Sequence, residues 1–121
     1  MNVQPRTIAV IDDDRRVLES LVNLLASFGY KADSYISAEQ FLGSGTLSRT
    51  SCIITDIEMR QMNGLALLQY VKNSNSAVPV IIITGKPSET SSFYLERGAI
   101  GFFRKPVDGD VLLELVSSVC T

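Results

Sequence analysis

Short apolar runs alternate with segments of helical periodicity along the whole chain. The runs are TIAVI (7–11), KADSY (31–35, the weakest), CIIT (52–55), VPVIIIT (78–84) and IGFF (100–103). They are too short for core helices and mostly rich in β-branched residues, so they read as strands. Between them, Val17, Leu21, Leu24, Leu25 and Phe28 fall at helical spacing, with Gly29 placed as a stop. SAEQFL opens with Ser37 followed three residues later by Gln40, a capping-box pattern. Asn63 is placed to cap a helix over 63–72, and Gly98 to end a weaker one over 87–98. Val111, Leu112, Leu115, Val116 and Val119 mark a last helix. Strand and helix alternating in this way predict an α/β domain with a parallel sheet. The continuous apolar runs CIIT and VIII suit strands covered on both faces. With 121 residues, one domain over 1–121 is expected.

Open parallel sheets present ligand sites beyond the carboxyl ends of their strands, where strand order reverses. The residues after each run are therefore the ones that matter. Asp12-Asp13-Asp14 follows the first run; the third ends in Asp56, the fourth in Thr84-Gly85-Lys86 and the fifth in Arg104-Lys105-Pro106. A parallel sheet brings all of these to one edge, giving several carboxylates, a hydroxyl and an ammonium. Such an oxygen-rich set suits Mg²⁺, Mn²⁺ or Ca²⁺ and not zinc. Each residue also has a plain structural reading. The Asp triplet can cap a helix, Asp56 can serve a turn, Thr84 can end a strand and Lys105 can be a solvated charge. The complementarity of the whole set favours a site.

Composition narrows the function classes. The chain is 45% hydrophobic and 20% charged, which supports a packed core. Net charge is −2, which argues against a nucleic-acid surface on this chain. No apolar run approaches the ~20 residues that span a bilayer, and no secretory signal opens the sequence. A soluble, cytoplasmic protein without a membrane partner is expected. There is no His, which removes the commonest general base and the commonest metal ligand. Of the two cysteines, Cys52 lies in an apolar strand and reads as a buried free thiol.

The ordered motifs VIDDD, DIEMRQMNGLALL, VPVIIITG and GAIGFFRKPVD resemble the receiver domain of bacterial two-component response regulators over essentially the whole chain. SAEQFL, ITG and FFRKPVD look most like the FixJ-type subgroup. The resemblance implies a flavodoxin-like fold: a doubly wound five-stranded parallel sheet in order 2-1-3-4-5, flanked by five helices. It implies that Asp56 is the phosphoacceptor and that Asp12, Asp13, Asp56 and the backbone carbonyl of Glu58 hold Mg²⁺ (or Mn²⁺), Asp13 as the main direct ligand. Thr84 and Lys105 match the remaining active-site pair. Thr84 and Phe102 match the switch residues, and Glu58 and Lys86 flank the entrance. A histidine kinase is the implied partner, and pairing into a homodimer on phosphorylation is implied for the face around residues 87–119.

Two features depart from that pattern. Family members commonly carry Met-Pro after the phosphoacceptor, and here the pair is Met59-Arg60. Without proline the backbone at Met59 is freer, and the neighbouring Glu58 carbonyl is less firmly aimed. Glu58 also adds a carboxylate beside an acidic pocket, where it either points to solvent or guards the entrance, alone or paired with Lys86. Two other functions remain in view. A phosphatase with an aspartyl-phosphate intermediate needs a second Asp two residues after the nucleophile, where this chain has Glu58, and a cap insertion for which 121 residues leave little room. A phosphorylation-independent interaction module would not need the complete Asp, Thr and Lys set. Ending just after its last predicted helix, the chain reads either as a stand-alone receiver or as a piece of a longer regulator.

Overall fold

In a computed structural model describing residues 7–120, strand β1 (Thr7–Ile11) shows how one chain builds two layers. Successive strand side chains point to opposite faces. Ile8 and Val10 pack with one cluster of buried residues, Ala9 and Ile11 with the other. Strands β3 (Cys52–Asp56) and β4 (Val80–Thr84) repeat this alternation and are buried along their entire length. They lie centrally, in the order β2-β1-β3-β4-β5, with every pair parallel. Strands β2 (Lys31–Tyr35) and β5 (Gly101–Arg104) form the edges and carry the mixed burial that an edge permits.

Helices α1 (Arg15–Ser27) and α5 (Gly109–Val119) cover one face, with Leu18, Leu21, Leu25, Leu112, Leu113 and Val116 in its core. Helices α2 (Ala38–Gly43), α3 (Gly64–Asn73) and α4 (Ser91–Glu96) cover the other through Phe41, Leu67, Leu68, Val71 and Tyr94. No helix of the described residues is long and apolar enough to cross a membrane.

The expected caps form. Ser37 accepts from Gln40 N, and the Gln40 side chain accepts from Ile36 N, so one end of the capping box reaches a residue further out than the cap itself. Asn63 accepts from Ala66 N. Gly29 and Gly98 take positive φ, +88° and +107°, the left-handed turn that ends a helix.

Several details differ from the sequence expectation. The fourth helix begins at Ser91 and not near Pro87, because the Thr90 hydroxyl accepts from Phe93 N and sets the first turn. β4 begins after Pro79, which has no N–H to give a ladder. β3 includes Asp56 as its last residue. Phe28 and Val111, placed on apolar stripes by their spacing, are 64% and 48% exposed, while Leu18 and Leu113 are buried instead. A stripe of fixed period marks a helix but does not say how far the partner layer extends over it. Neither Cys52 nor Cys120 forms a disulfide, and both are buried. A hydrogen bond with Cys120, and then burial, push the Cys52 thiol well above its ordinary value, so it stays protonated.

Gly64 marks the tightest approach between a helix and the sheet. A Cβ built there overlaps the Asp56 carbonyl oxygen and lies 3.0 Å from Ile57 Cα, both backbone atoms that cannot swing aside. Gly64→Ala should therefore destabilise the fold by about 1–3 kcal/mol, as overpacking does. The urea midpoint measures this, and an unchanged midpoint would show that α3 shifts freely against β3.

Candidate functional site

Order reverses between β1 and β3, since α1 leads to β2 on one side of β1 while β3 lies on the other. At that reversal stand the ends of the two strands, carrying Asp12 and Asp56. Asp12 follows β1 directly, its amide donating to Tyr35 O at 3.1 Å, and it is fully buried. Asp13 is exposed at the mouth. Asp14 caps α1 by accepting from Arg16 N at 2.9 Å, and its own amide donates to Asp12 Oδ1. The triplet thus divides its labour: Asp14 is the helix cap, and Asp12 and Asp13 face the cluster.

Asp12, Asp13 and Asp56 each bring a carboxylate oxygen within 4.8 Å of the others. Lys105, just beyond β5, answers that charge. Its ammonium lies 2.7 Å from Asp12 Oδ2 and 3.4 Å from Asp56 Oδ2. The shorter contact is to Asp12, whose buried Oδ2 makes an ion pair there and no aligned hydrogen bond. Asp56 Oδ1 accepts from the Ile57 amide at 2.8 Å. Among the described residues, this leaves the cluster with more carboxylate charge than one ammonium balances. An all-oxygen, anionic set of this kind fits a hard divalent cation such as Mg²⁺ or Mn²⁺.

The electrostatics follow from burial. Asp56 is 5% exposed. Desolvation first, and the Asp12 charge second, raise its carboxyl above the ordinary value; Lys105 and the Glu58 backbone amide offset only part of this. Burial lowers Lys105, but contact with Asp12 and Asp56 outweighs it, and its ammonium is held above the usual value.

Thr84 ends β4 fully buried, and its hydroxyl accepts from Lys86 N at 3.3 Å. Its carbonyl accepts from Lys105 N at 2.8 Å, so the ends of β4 and β5 are tied at the site. Phe102 is half-buried on β5 and stacks on the buried Tyr94 of α4, with ring centroids 5.4 Å apart and planes inclined by 14°. Glu58 and Lys86 are both exposed, and no ion pair joins them among the described residues. The structure therefore brings Asp12, Asp13, Asp56 and Lys105 into one cluster, and leaves the Glu58 and Lys86 side chains in solvent. Two contributors escaped the sequence reading. Tyr94 of α4 packs on Phe102, and Glu39 of α2 accepts from Met62 N across a separation of 23 residues. No local pattern signals either contact.

The raised Asp56 value has a defined sign. The folded state holds its proton more tightly than the unfolded chain, so ionisation of Asp56 erodes stability as pH rises from about 4 through the folded value. Lys105 has the same sign in a higher range: its pairing stabilises fully below the unfolded lysine value and is lost as pH rises to strongly alkaline values. In the presence of a chelator, Asp56→Asn should melt higher than the parent at pH 8. The gap should close as pH falls towards about 4. Thermal melts across that range check this, and an Asn variant less stable than the parent throughout would refute it.

Comparison with known proteins agrees with this geometry. Residues 8–117 match the response regulator receiver domain family. The chain is 33% identical over 116 residues to the response regulator protein TodT of Pseudomonas putida, covering 93% of this chain and 50% of TodT. It is 36% identical over 110 residues to the transcriptional regulatory protein FixJ of Azorhizobium caulinodans, covering 90% of this chain and 52% of FixJ. The chain thus spans about half the length of the curated relatives it matches. Among solved structures, a response regulator receiver protein from Pseudomonas putida superposes with a TM-score of 0.86 at 30% identity, covering 97% of this chain and 99% of that one. The structure described as FixJ-N gives 0.84 at 27%, covering 98% and 95%. The chain belongs to the response regulator receiver domain family and is a phosphoacceptor switch of the two-component type.

Proposed function

We propose that Asp56 is the phosphoacceptor of a single cytoplasmic receiver domain over residues 1–121, either stand-alone or cut from a longer regulator, and that a histidine kinase is its donor. The observation that carries this is the place of Asp56: a nearly buried carboxylate at the end of a central strand, grouped with Asp12 and Asp13 and touched by Lys105. In the transfer, an Asp56 oxygen bonds to phosphorus as the bond from phosphorus to the kinase imidazole breaks, and the nitrogen keeps the electron pair. Water later cleaves the acyl phosphate and restores Asp56. The domain acts as a signalling element and turns over no metabolite.

Asp12, Asp13 and Asp56, with the Glu58 backbone carbonyl, would hold Mg²⁺ (Mn²⁺ being an alternative). When bound, the ion supplies positive charge between an anionic nucleophile and an anionic phosphoryl group, the repulsion that otherwise blocks this reaction. Lys105, which touches Asp56, would hold the oxygens of the phosphoryl group that replaces its charge. Thr84 would donate its hydroxyl to the phosphoryl group. Drawing that side chain inward vacates space into which Phe102 turns, changing the face formed by α4, β5 and α5, the face proposed to pair two copies. At the entrance, the exposed Glu58 carboxylate would repel an incoming anionic donor and Lys86 attract it. Specific binding of nucleic acid is not assigned to this domain.

Incubation with acetyl phosphate and Mg²⁺ should add one phosphoryl group, read by mass, and Asp56→Asn should abolish the addition. Addition that persists in the Asn protein would move the phosphoacceptor elsewhere. Mg²⁺ at about a hundredfold over its dissociation constant should stabilise the parent by about 2.7 kcal/mol, provided it binds only the folded chain. The same concentration should do little for Asp13→Asn. Equal stabilisation of both proteins would remove Asp13 from the ligand set.

A further inference from the structure

The loop from residue 57 to residue 63 carries the Glu58 carbonyl and forms no regular structure. It contains no proline to restrict its backbone. Its two ends are fixed. Ile57 N donates to Ile83 O at 3.2 Å, Gly64 N donates to Ile57 O at 3.0 Å, and Asn63 caps α3. The Glu58 amide also bears on the Asp56 carboxylate, and beyond it the backbone up to Asn63 is nearly unheld. Among the described residues, the amides of Met59 to Met62 find one protein acceptor, Oε2 of Glu39, at 3.0 Å from Met62 N.

Glu39 is well placed to act as a brace. It stands one residue after Ala38 and two before Phe41, both with no exposed surface, so α2 is anchored in the core. The Ser37 and Gln40 hydrogen bonds fix the start of the same helix. Glu39 also lines a cleft together with Asp13, Arg15, Ser37, Met59 and Arg60, so the braced loop and the exposed Asp13 carboxylate face a common space. A carboxylate accepting from an amide makes a stronger bond than a neutral acceptor, and it needs no proton of its own.

We propose that Glu39 is a positioning residue for the cation site: it holds the 57–63 loop closed through Met62, and by doing so aims the Glu58 carbonyl. The inference rests on the ligand set proposed above. It reaches beyond that set to a residue that touches neither the ion nor the phosphoryl group. Mg²⁺ dehydrates reluctantly and demands near-regular geometry, so a loop free to swing binds it more weakly. Partners that orient metal ligands commonly alter affinity by roughly 10- to 100-fold. For an exposed brace, the low end of that range is expected.

A second explanation must be separated from this one, because a carboxylate near the cleft also attracts a cation by charge alone. Glu39→Gln removes the charge but keeps a carbonyl oxygen that can accept from Met62 N, whereas Glu39→Ala removes both. Mg²⁺ titrations followed by the amide resonances of residues 56 to 64 give the affinities. Hydrogen exchange of the Met62 amide without metal reports the brace directly. The brace predicts near-parental affinity and slow Met62 exchange for Gln, and roughly tenfold weaker binding with fast exchange for Ala. Equal losses in both variants that fade at high salt would overturn the proposal in favour of charge attraction. So would parental affinity and exchange in the Ala variant alongside a normal loss in Asp13→Asn. If Asp13→Asn binds Mg²⁺ like the parent, the ligand set itself is wrong and the aiming role falls with it. The Met62 exchange data then still report whether the hydrogen bond exists.

Discussion

Everything at the site depends on keeping charge in a place where water is scarce. Two carboxylates, Asp12 and Asp56, end neighbouring central strands with 0% and 5% exposure. Unpaired, each would be strongly unfavourable in such surroundings. Lys105 offsets both through one ammonium, closer to Asp12 than to Asp56. The compensation is incomplete: burial first, and the Asp12 charge second, still hold the Asp56 carboxyl above its ordinary value. An under-balanced anionic cluster is poised for a further cation, and a site stabilised by an outside ion can be switched by altering its charge.

A chain of backbone and aromatic contacts runs from the site to α4. Lys105 and Thr84 are joined through the backbone at the ends of β5 and β4. Phe102 on β5 leans against Tyr94, which α4 inserts into the core. Phe93 meets Tyr94 edge-on, and Arg97 lies over the Phe93 ring, 3.5 Å from its centroid. The relay proposed above would follow these packed contacts from the strand ends to the outer face of α4. Packed aromatic side chains hold discrete arrangements better than graded ones, which suits a two-state response.

The sequence shows the fold with unusual clarity because two periodicities are written cleanly in it. Continuous apolar runs at 52–55 and 80–83 required strands covered on both sides, and the structure buries both in full. Boundaries were less legible. Pro79 and Thr90 set the starts of β4 and α4 through missing and added hydrogen bonds, which compete with hydrophobic pattern over only a few residues. Phe28 and Val111 misled the reading of the core, since apolar spacing does not reveal where the covering layer stops.

For the site, sequence alone determined the chemical types and their order: acids at the ends of the first and third strands, a hydroxyl at the end of the fourth, an ammonium just past the fifth. Parallel strands carry such residues to one edge, so local pattern and sheet direction were enough to group them. Only the tertiary structure decided which acid meets the lysine, that Asp14 serves α1 while Asp12 and Asp13 serve the cluster, and that Glu39 reaches Met62. Those outcomes depend on distances of a few ångströms between elements far apart in the chain. Such distances are set by how helices pack on the sheet, which no single segment of sequence encodes.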